Sequence, residues 1–262
     1  MTDEAPAPET APVRPVRFSG ALAGYLALGV SVVALGLAAA PYVTGGFGGS
    51  GDNVRAYLLE HPEVLQEVSL ALQAKEGQAR VDETNAAASS NAALLAPDRR
   101  DPAFGPADAK VTVIEFFDFR CPGCKAVAPQ FRDLMAAHPD VRFVFKDWPI
   151  LDRGEDVASQ YAARAALAAH QQGKYLEVYD ALMTERALTV ESIDRILAQH
   201  GVDMARAKAT LVSPETTRHI ADIHTTAAAL KLQGTPTFFV NGKAAASIDP
   251  AEIDRMIEAA KK

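Results

Sequence analysis

The chain has 262 residues, a formal net charge of −7 at pH 7 and an isoelectric point near 5.4. This negative charge argues against nucleic acid as a partner, because a nucleic-acid-binding surface needs an excess of Lys and Arg. The length and a hydrophobic content of 48% allow one sizeable globular domain plus extensions. The chain has only two cysteines, and so small a number does not by itself fix the compartment.

The N-terminal region contains a hydrophobic run long enough to cross a bilayer. Residues 1–18 are rich in Pro, Ala and Glu and predict a disordered cytoplasmic tail. Ser19–Ala40 is uncharged and follows Arg14 and Arg17, so the positive-inside rule exports the rest of the chain. We predict a single-pass inner-membrane anchor with a periplasmic domain. A cleaved signal sequence, leaving a soluble periplasmic protein, is the alternative because three consecutive alanines end the run.

A helical segment is predicted over residues 52–95. Apolar residues recur at helical spacing in Asp52–Lys75, with a break at Pro62, and the polar Glu76–Leu95 can continue the helix. The apolar stripe must be buried against the following domain or against another chain, and both alternatives stay open. Three prolines then mark residues 96–107 as a linker.

The stretch Val111–Cys124 joins an apolar strand to the two cysteines. Its β-branched and aromatic residues are typical of a strand buried on both faces, and we predict the first core strand at Asp108–Asp118. The sequence then breaks into Cys-Pro-Gly-Cys, which opens a predicted helix over Cys121–His138. The cysteine pair therefore lies where a buried strand delivers the chain to a helix N-terminus.

This position suits dithiol–disulfide chemistry. A helix N-terminus favours a thiolate over a thiol, so we predict a lowered pKa for Cys121, which would be the nucleophile. Arg120 beside it could add positive charge or point to solvent. Cys124, one turn further in, would close the disulfide or release a substrate from a mixed disulfide. Pro122 suits the first helical turn, and Gly123 leaves little bulk over the sulfurs.

A structural disulfide and half of a metal site are the other interpretations of the cysteine pair. A disulfide that closes so short a loop stabilises a protein weakly. A zinc site would need two further ligands, and the six histidines are scattered along the sequence. We therefore predict redox chemistry with no cofactor and no metal.

The rest of the chain predicts a second strand, a run of helices, a hairpin and a closing helix. The second strand, Val141–Lys146, should be parallel to the first by the βαβ rule. A helical insertion is predicted at about residues 154–232. Its helices are Val157–Gln171, Tyr175–Glu185, Val190–His200, Asp203–Leu211 and Thr216–Lys231, followed by hairpin strands at Thr237–Val240 and about Lys243–Ala246 and a helix from Asp249 to Lys262.

A Gly-Thr-Pro sequence opens the hairpin region, Gly234–Lys243. If the Thr235–Pro236 bond is cis, the backbone of Thr235 would be free to pair with an extended substrate beside the sulfurs. An ordinary trans proline at a strand start is the alternative.

Val111–Phe131 together with Gly234–Lys243 resembles the DsbA-type branch of the thioredoxin superfamily, which consists of periplasmic thiol–disulfide oxidoreductases. The resemblance implies an α/β thioredoxin-like fold with a helical insertion domain over residues 108–262. This domain would be preceded by the membrane helix and the helical segment at residues 52–95.

The resemblance also implies roles for individual residues. Cys121 would be the attacking cysteine, Cys124 the resolving one, and Thr235-Pro236 the cis-proline pair. The family carries a buried acid six residues before the first cysteine, where Glu115 lies, and Lys146 is a candidate partner for it. The best-known oxidase has Pro-His between its cysteines, whereas this chain has Pro-Gly, so its strength as an oxidant stays open.

Arg55–Val64 is similar to N-terminal helices of DsbA-like proteins of the copper-sensitivity-suppressor C (ScsC) type. In some members these helices build an oligomer, which implies a homo-oligomer through residues 52–95 as one alternative. The same resemblance is compatible with a periplasmic copper-resistance protein that binds Cu(I) through the two thiolates.

The sequence thus predicts an exported, membrane-anchored thiol–disulfide oxidoreductase that oxidises or isomerises protein disulfides. Its expected partners are exported proteins with cysteines, a membrane redox partner and the inner membrane. Oxidase and isomerase stay open, because direction is set by redox poise and not by the motif. The alternatives are the Cu(I)-binding protein and a structural role of the anchor and the helices in Asp52–Lys75.

Overall fold

The structure, a computed structural model, describes residues 49–262. The predicted tail and the hydrophobic run Ser19–Ala40 lie outside the described residues. From residue 49 onward, no helix is both long enough and apolar enough to cross a membrane. The described residues divide into two units after Leu70, inside the second helix, and the larger unit is Ala71–Lys262.

Helices outnumber strands in the described range. The helices are α1 (Gly49–Glu60), α2 (Glu63–Ser90), α3 (Pro122–Ala137), α4 (Ala158–His170), α5 (Tyr175–Thr184), α6 (Val190–Gln199), α7 (Met204–Leu211), α8 (Pro214–Ala229) and α9 (Pro250–Lys261), with a 3-10 turn at Ala92–Leu95. The strands are β1 (Ala103–Phe104), β2 (Thr112–Phe117), β3 (Arg142–Asp147), β4 (Thr237–Val240) and β5 (Lys243–Ala244).

One five-stranded sheet, in the order β1-β3-β2-β4-β5, forms the centre of the larger unit. Strands β2 and β3 are parallel and are joined through α3, whereas β4 and β5 are added antiparallel. Helices α4 to α8 lie between β3 and β4 in the sequence. This arrangement is the predicted α/β architecture with a helical insertion.

The two faces of the sheet follow from strand alternation, which sends neighbouring side chains to opposite sides. The side that packs against α3 and α5, here called the cysteine face, carries Val113, Glu115, Phe117, Phe143, Phe145, Asp147, Phe238 and Val240. The other side, called the opposite face, carries Ile114, Phe116, Val144, Lys146 and Phe239 and packs against α8 and the end of α2. Both faces are buried, as the continuous apolar run of β2 predicts.

The structure differs from the sequence predictions mainly at element ends. Strand β1 lies within the predicted linker 96–107 and pairs with β3 over only two residues, too few to show a periodicity. Helix α1 begins at Gly49, before the predicted start at residue 52. Strands β2 and β3 begin later than predicted, at Thr112 and Arg142.

The C-terminal half of α2 packs on the central sheet. Thr84 and Ala88 are buried, and Oδ1 of Asn85 accepts a hydrogen bond from the backbone N–H of Ala244 at 2.8 Å. Glu83 forms an ion pair with Lys231 at 2.6 Å. This half of the helix is thus buried against its own domain.

Candidate active site

The two cysteines lie at the junction of β2 and α3. Cys121 is the N-cap residue of α3, and Pro122 occupies the first helical position, where a missing N–H costs no intrahelical bond. Both thiols are free; Cys121 is 8% exposed and Cys124 is fully buried. Cys121 is therefore the sulfur that an incoming thiol or disulfide can reach.

The two cysteines have very different acidities. The pKa of Cys121 is lowered to about 5, chiefly because the Cys124 thiol donates a hydrogen bond to its thiolate. The side chain of Thr235 and the backbone N–H groups of Gly123 and Cys124, at the start of α3, lower it further. Burial raises the pKa of Cys124 far above its usual range. At neutral pH the pair therefore holds one thiolate and one thiol.

The loop before β4 completes the surroundings of Cys121. The Thr235–Pro236 peptide bond is cis, and Sγ of Cys121 lies 3.1 Å from the Thr235 carbonyl oxygen, to which it can donate a hydrogen bond in its thiol form. A Cβ built on Gly123 would lie 3.3 Å from Cδ of Pro236 and 3.7 Å from Sγ of Cys121. Two segments more than a hundred residues apart in the sequence thus meet at one sulfur.

Glu115 lies on the cysteine face, fully buried beneath the cysteine pair. Its Oε2 accepts a long hydrogen bond of 3.3 Å from the hydroxyl of Tyr179 on α5, and its Oε1 has no hydrogen-bond partner. Burial raises the pKa of Glu115 to about 8, and the Tyr179 hydroxyl only partly offsets this rise. The charge of Glu115 in turn raises the pKa of Cys124, so the two groups influence each other.

The prediction that Lys146 is the partner of Glu115 is wrong. In the parallel register, Lys146 lies opposite Phe116 and Glu115 lies opposite Phe145, so the two side chains point to opposite faces of the sheet. Nζ of Lys146 instead contacts Oδ2 of Asp101 at 2.5 Å, and both side chains are buried. A one-residue offset along β3 explains the error, because it reverses the direction of a side chain.

Asp147 is a second buried acid on the cysteine face that sequence reasoning missed. It is 1% exposed, and its Oδ2 accepts a hydrogen bond from the Tyr175 hydroxyl at 3.2 Å. Burial raises its pKa well above the usual range of an aspartate, and its charge adds to the rise at Glu115. The sequence could have predicted this position, because every second residue of β3 faces the same side. Asp147 therefore shares a face with Phe143 and Phe145, and in the observed register also with Glu115.

The loop between β2 and α3 is held by Asp118. This buried carboxylate accepts hydrogen bonds from the backbone of Arg120, Ile150 and Leu151 at 2.7–3.0 Å. The Arg120 guanidinium pairs with Asp156 at 2.7 Å and therefore does not lie over Cys121. Of the two alternatives for Arg120, added positive charge at the thiolate is not supported, since Arg120 is not among the groups that lower the pKa of Cys121.

Lys125, the residue after the cysteine pair, ties α3 to the insertion. Its Nζ donates to the backbone carbonyls of Leu182, Met183 and Glu185 at the end of α5, at 2.7–3.2 Å. An ammonium among the last carbonyls of a helix meets the negative end of its dipole. The insertion and the active-site helix are therefore joined directly at the cysteines.

The sequence matches the models of two known protein families. A family model described as thioredoxin matches residues 98–259, more than half of the chain. The chain belongs to the thioredoxin family. A second model, described as the copper resistance protein ScsC N-terminal domain, matches residues 51–79. The predicted resemblance to DsbA-like proteins of ScsC type is thereby confirmed.

Individual relatives agree with this assignment. A solved thioredoxin-like oxidoreductase from Silicibacter pomeroyi is 36% identical and has a TM-score of 0.58, with 63% of this chain and 94% of that chain covered. A probable disulfide bond formation protein D from Bacillus anthracis is 29% identical over 153 residues, which are 54% of this chain and 70% of the relative. The domain is therefore of the thiol–disulfide oxidoreductase type.

One group of relatives contains a domain like this one within a much longer protein. The Na⁺/H⁺ antiporter NhaA 3 of Salinispora tropica is 36% identical over 148 residues, which are 56% of this chain. The chain spans only 22% of the length of that relative.

Proposed function

We propose that the chain oxidises protein dithiols, or isomerises disulfides, through Cys121 and Cys124. The observation that carries this proposal is the contrast between a reachable Cys121 with a pKa of about 5 and a buried Cys124 with a raised pKa. A thiolate that is stabilised in the reduced state makes the disulfide a stronger oxidant. The contrast therefore favours disulfide donation.

The proposed reaction is a pair of thiol–disulfide exchanges. A substrate thiolate attacks Sγ of Cys121 in the Cys121–Cys124 disulfide, forms a mixed disulfide and releases Cys124 as a thiolate. A second substrate thiolate then attacks the substrate sulfur of the mixed disulfide and releases the Cys121 thiolate. The substrate loses two electrons and the cysteine pair gains them, so a membrane redox partner must reoxidise it.

In this proposal Glu115 exchanges a proton with Cys124. The Cys124 thiolate released in the first step lies in an apolar interior where its pKa is raised, so it must gain a proton quickly. The Glu115 carboxyl has a pKa of about 8 and is protonated at neutral pH, so it can supply that proton. In the reverse direction it would accept the proton as Cys124 attacks.

The first test is the reduction potential of the cysteine pair in the full chain, measured by equilibration with glutathione buffers. We expect a value closer to about −120 mV than to about −270 mV, together with catalytic oxidation of a reduced protein. Cys124→Ser should accumulate a mixed disulfide, and Cys121→Ser should be inactive. A reduction potential of the cysteine pair more negative than about −270 mV would exclude disulfide donation.

A second candidate is Cu(I) binding by the two thiolates, which the match to a copper resistance domain favours. Soft thiolates suit Cu(I), but the raised pKa of Cys124 means that metal would have to displace a proton there. Cu(I) competition with a chelator tests this candidate. Tight binding without catalytic turnover would support the copper protein over the oxidoreductase.

We further propose that the chain is exported and anchored through Ser19–Ala40, and that residues 52–95 contribute a homo-oligomer interface. Leu59, Leu65 and Val68 on α1 and the start of α2 are each more than half exposed, which supports an apolar contact with a second copy. Replacing these three residues by Glu should convert an oligomer to a monomer in solution-mass measurements. A wild-type monomer would exclude the interface.

A further inference from the structure

A groove of about 440 Å³ runs beside the cis-proline loop within the larger unit. Its floor and one side are formed by Pro236, Phe238 and the residues that follow β5, among them Ile248. Its other side is formed by Gly77, Arg80 and Val81 of α2. The groove is mostly apolar, and its size falls within the usual range of about 300–1,000 Å³ for ligand sites.

Two residues that line the groove, Pro236 and Ile248, lie close to the cysteine pair. A Cβ built on Gly123, between the two cysteines, would lie 3.3 Å from Cδ of Pro236 and 3.8 Å from Cδ1 of Ile248. The position of Gly123 thus lies within 4 Å of two side chains that line the groove and of Sγ of Cys121. Ile248 is 40% exposed, so it offers apolar surface to a peptide in the groove.

The α2 side of the groove is firmly fixed to the domain. Arg80 is followed within eight residues on α2 by the buried Thr84 and Ala88, by Asn85, which accepts a hydrogen bond from the backbone of Ala244, and by Glu83, which pairs with Lys231. Gly77 leaves open space on this side, because a Cβ there would meet nothing nearer than Arg80 Nη2 at 3.9 Å. The guanidinium thus lies over a gap that a ligand side chain can enter.

Arg80 is the only charged residue among the described residues that line the groove. In the described part of the chain, no carboxylate forms an ion pair or a hydrogen bond with it. A free guanidinium matches a carboxylate in a planar, bidentate manner. The groove therefore carries a positive charge although the whole chain has a net charge of −7.

We propose that Arg80 is a specificity-determining residue that binds an Asp or Glu side chain in the peptide flanking a substrate cysteine. The apolar part of the groove would hold the neighbouring side chains of the same extended peptide. This inference rests on the proposed function, because it assigns a substrate class to the same cysteine pair. It also gives α2 a role in recognition by the catalytic domain.

The test compares three dithiol peptides that differ only by Glu, Gln or Lys at positions flanking the cysteine. With the full chain in a neutral detergent, we expect kcat/KM to fall about fivefold from the Glu peptide to the Lys peptide at low salt, and the difference to shrink in 0.5 M salt. Arg80→Glu should reverse the order, and Arg80→Gln should remove it.

The matched control is Lys75→Glu, an equal change of charge at an exposed position of α2 that does not line the groove. It should leave the Glu-over-Lys preference intact. An equal loss of preference in Lys75→Glu, or an unchanged preference in Arg80→Glu, would overturn the proposal. Gly77→Leu should fill the groove and weaken all three peptides together.

Failure of the proposed function is distinguishable from failure of this inference. If the wild-type chain oxidises none of the peptides, the function fails, and the inference is then decided by binding alone. Peptides with Ser in place of Cys should bind in the same order, Glu before Gln before Lys, by fluorescence anisotropy. Equal affinities for the three Ser peptides would overturn the role of Arg80.

Discussion

The two faces of the central sheet bury ionisable groups in opposite ways. On the opposite face, Lys146 and Asp101 form a close ion pair, and His219 lies 3.3 Å from the same carboxylate. On the cysteine face, Glu115 and Asp147 are just as buried, yet among the described residues their side chains accept hydrogen bonds only from Tyr hydroxyls. The negative charge of Asp101 is thus balanced by Lys146. Glu115 and Asp147 have no positively charged partner among their described contacts.

This difference separates a structural role from a chemical one. A buried carboxylate beside a cation forms a fixed ion pair that holds the chain in place. A buried carboxyl without a cation keeps its proton to a higher pH and can give it up near neutrality. The face that carries the cysteines is the one on which such a titrating group is useful.

The largest effect is expected from Asp101→Ala, which leaves the buried Lys146 without its partner. We expect the free energy of unfolding to fall by about 3–5 kcal/mol in chemical denaturation. The double variant Asp101→Leu with Lys146→Met should recover most of this loss, because it removes both charges. Neither change should move the pKa of Cys121; a shift in the thiolate absorbance titration would contradict the separation of the two faces.

Glu115→Gln should slow the Cys124-dependent step by about 10²-fold at neutral pH, because it removes the proton donor.

The Glu115→Gln change should also alter the pH dependence of the free energy of unfolding. The pKa of Glu115 is raised to about 8 in the folded chain from about 4.5 when unfolded, so its stabilising contribution is present below pH 4.5 and lost as the pH rises through 8. The variant should therefore match the wild type at pH 4 and exceed it at pH 9; equal stability at pH 9 would refute this prediction.

Tyr179→Phe should raise the pKa of Glu115 above 8, because the Tyr hydroxyl is the hydrogen bond that lowers it. The carboxyl stretch in infrared difference spectra reports the protonation of Glu115 directly. The change leaves the ring contacts in place, so the unfolding free energy should fall by only about 1 kcal/mol. Tyr175→Phe, which removes the hydroxyl next to Asp147, is the control and should move Glu115 less.

The smallest effect is expected from Asp147→Asn, which removes a nearby negative charge and should lower the pKa of Glu115. This shift is opposite in sign to that of Tyr179→Phe, so the pair of variants brackets the wild type. Titration of isotope-labelled Glu carboxyls by NMR measures both shifts. If both variants moved the pKa in the same direction, a general loosening of the site would be the better explanation.

Much of the fold was accessible from the sequence because its signals are local. The apolar run of β2, the Cys-Pro-Gly-Cys helix start and the periodicity of the inserted helices are each complete within about twenty residues. The predicted thioredoxin-like α/β fold is confirmed. Element ends were less accurate, because capping and register depend on contacts with distant segments.

The site was accessible only in part. The spacing of the two cysteines identifies them in the sequence, and Glu115 is identified by its position in an apolar strand. The direction of Lys146 depends on a register that the sequence does not contain, and Tyr179 arrives from a helix 64 residues away from Glu115. Such partners are set by tertiary packing, which no local pattern encodes.

The hydrogen bond between the Asn85 side chain and the backbone N–H of Ala244 has a consequence for solubility. Strand β5 lies at one border of the sheet, where an unoccupied N–H invites a strand of another molecule to add itself. Helix α2 blocks that border with a side chain and with buried apolar contacts. A fragment that begins at residue 98 would keep the region that matches the thioredoxin family model. It would lack α2, however, so the edge strand β5 would be exposed and the fragment would be prone to edge-to-edge association.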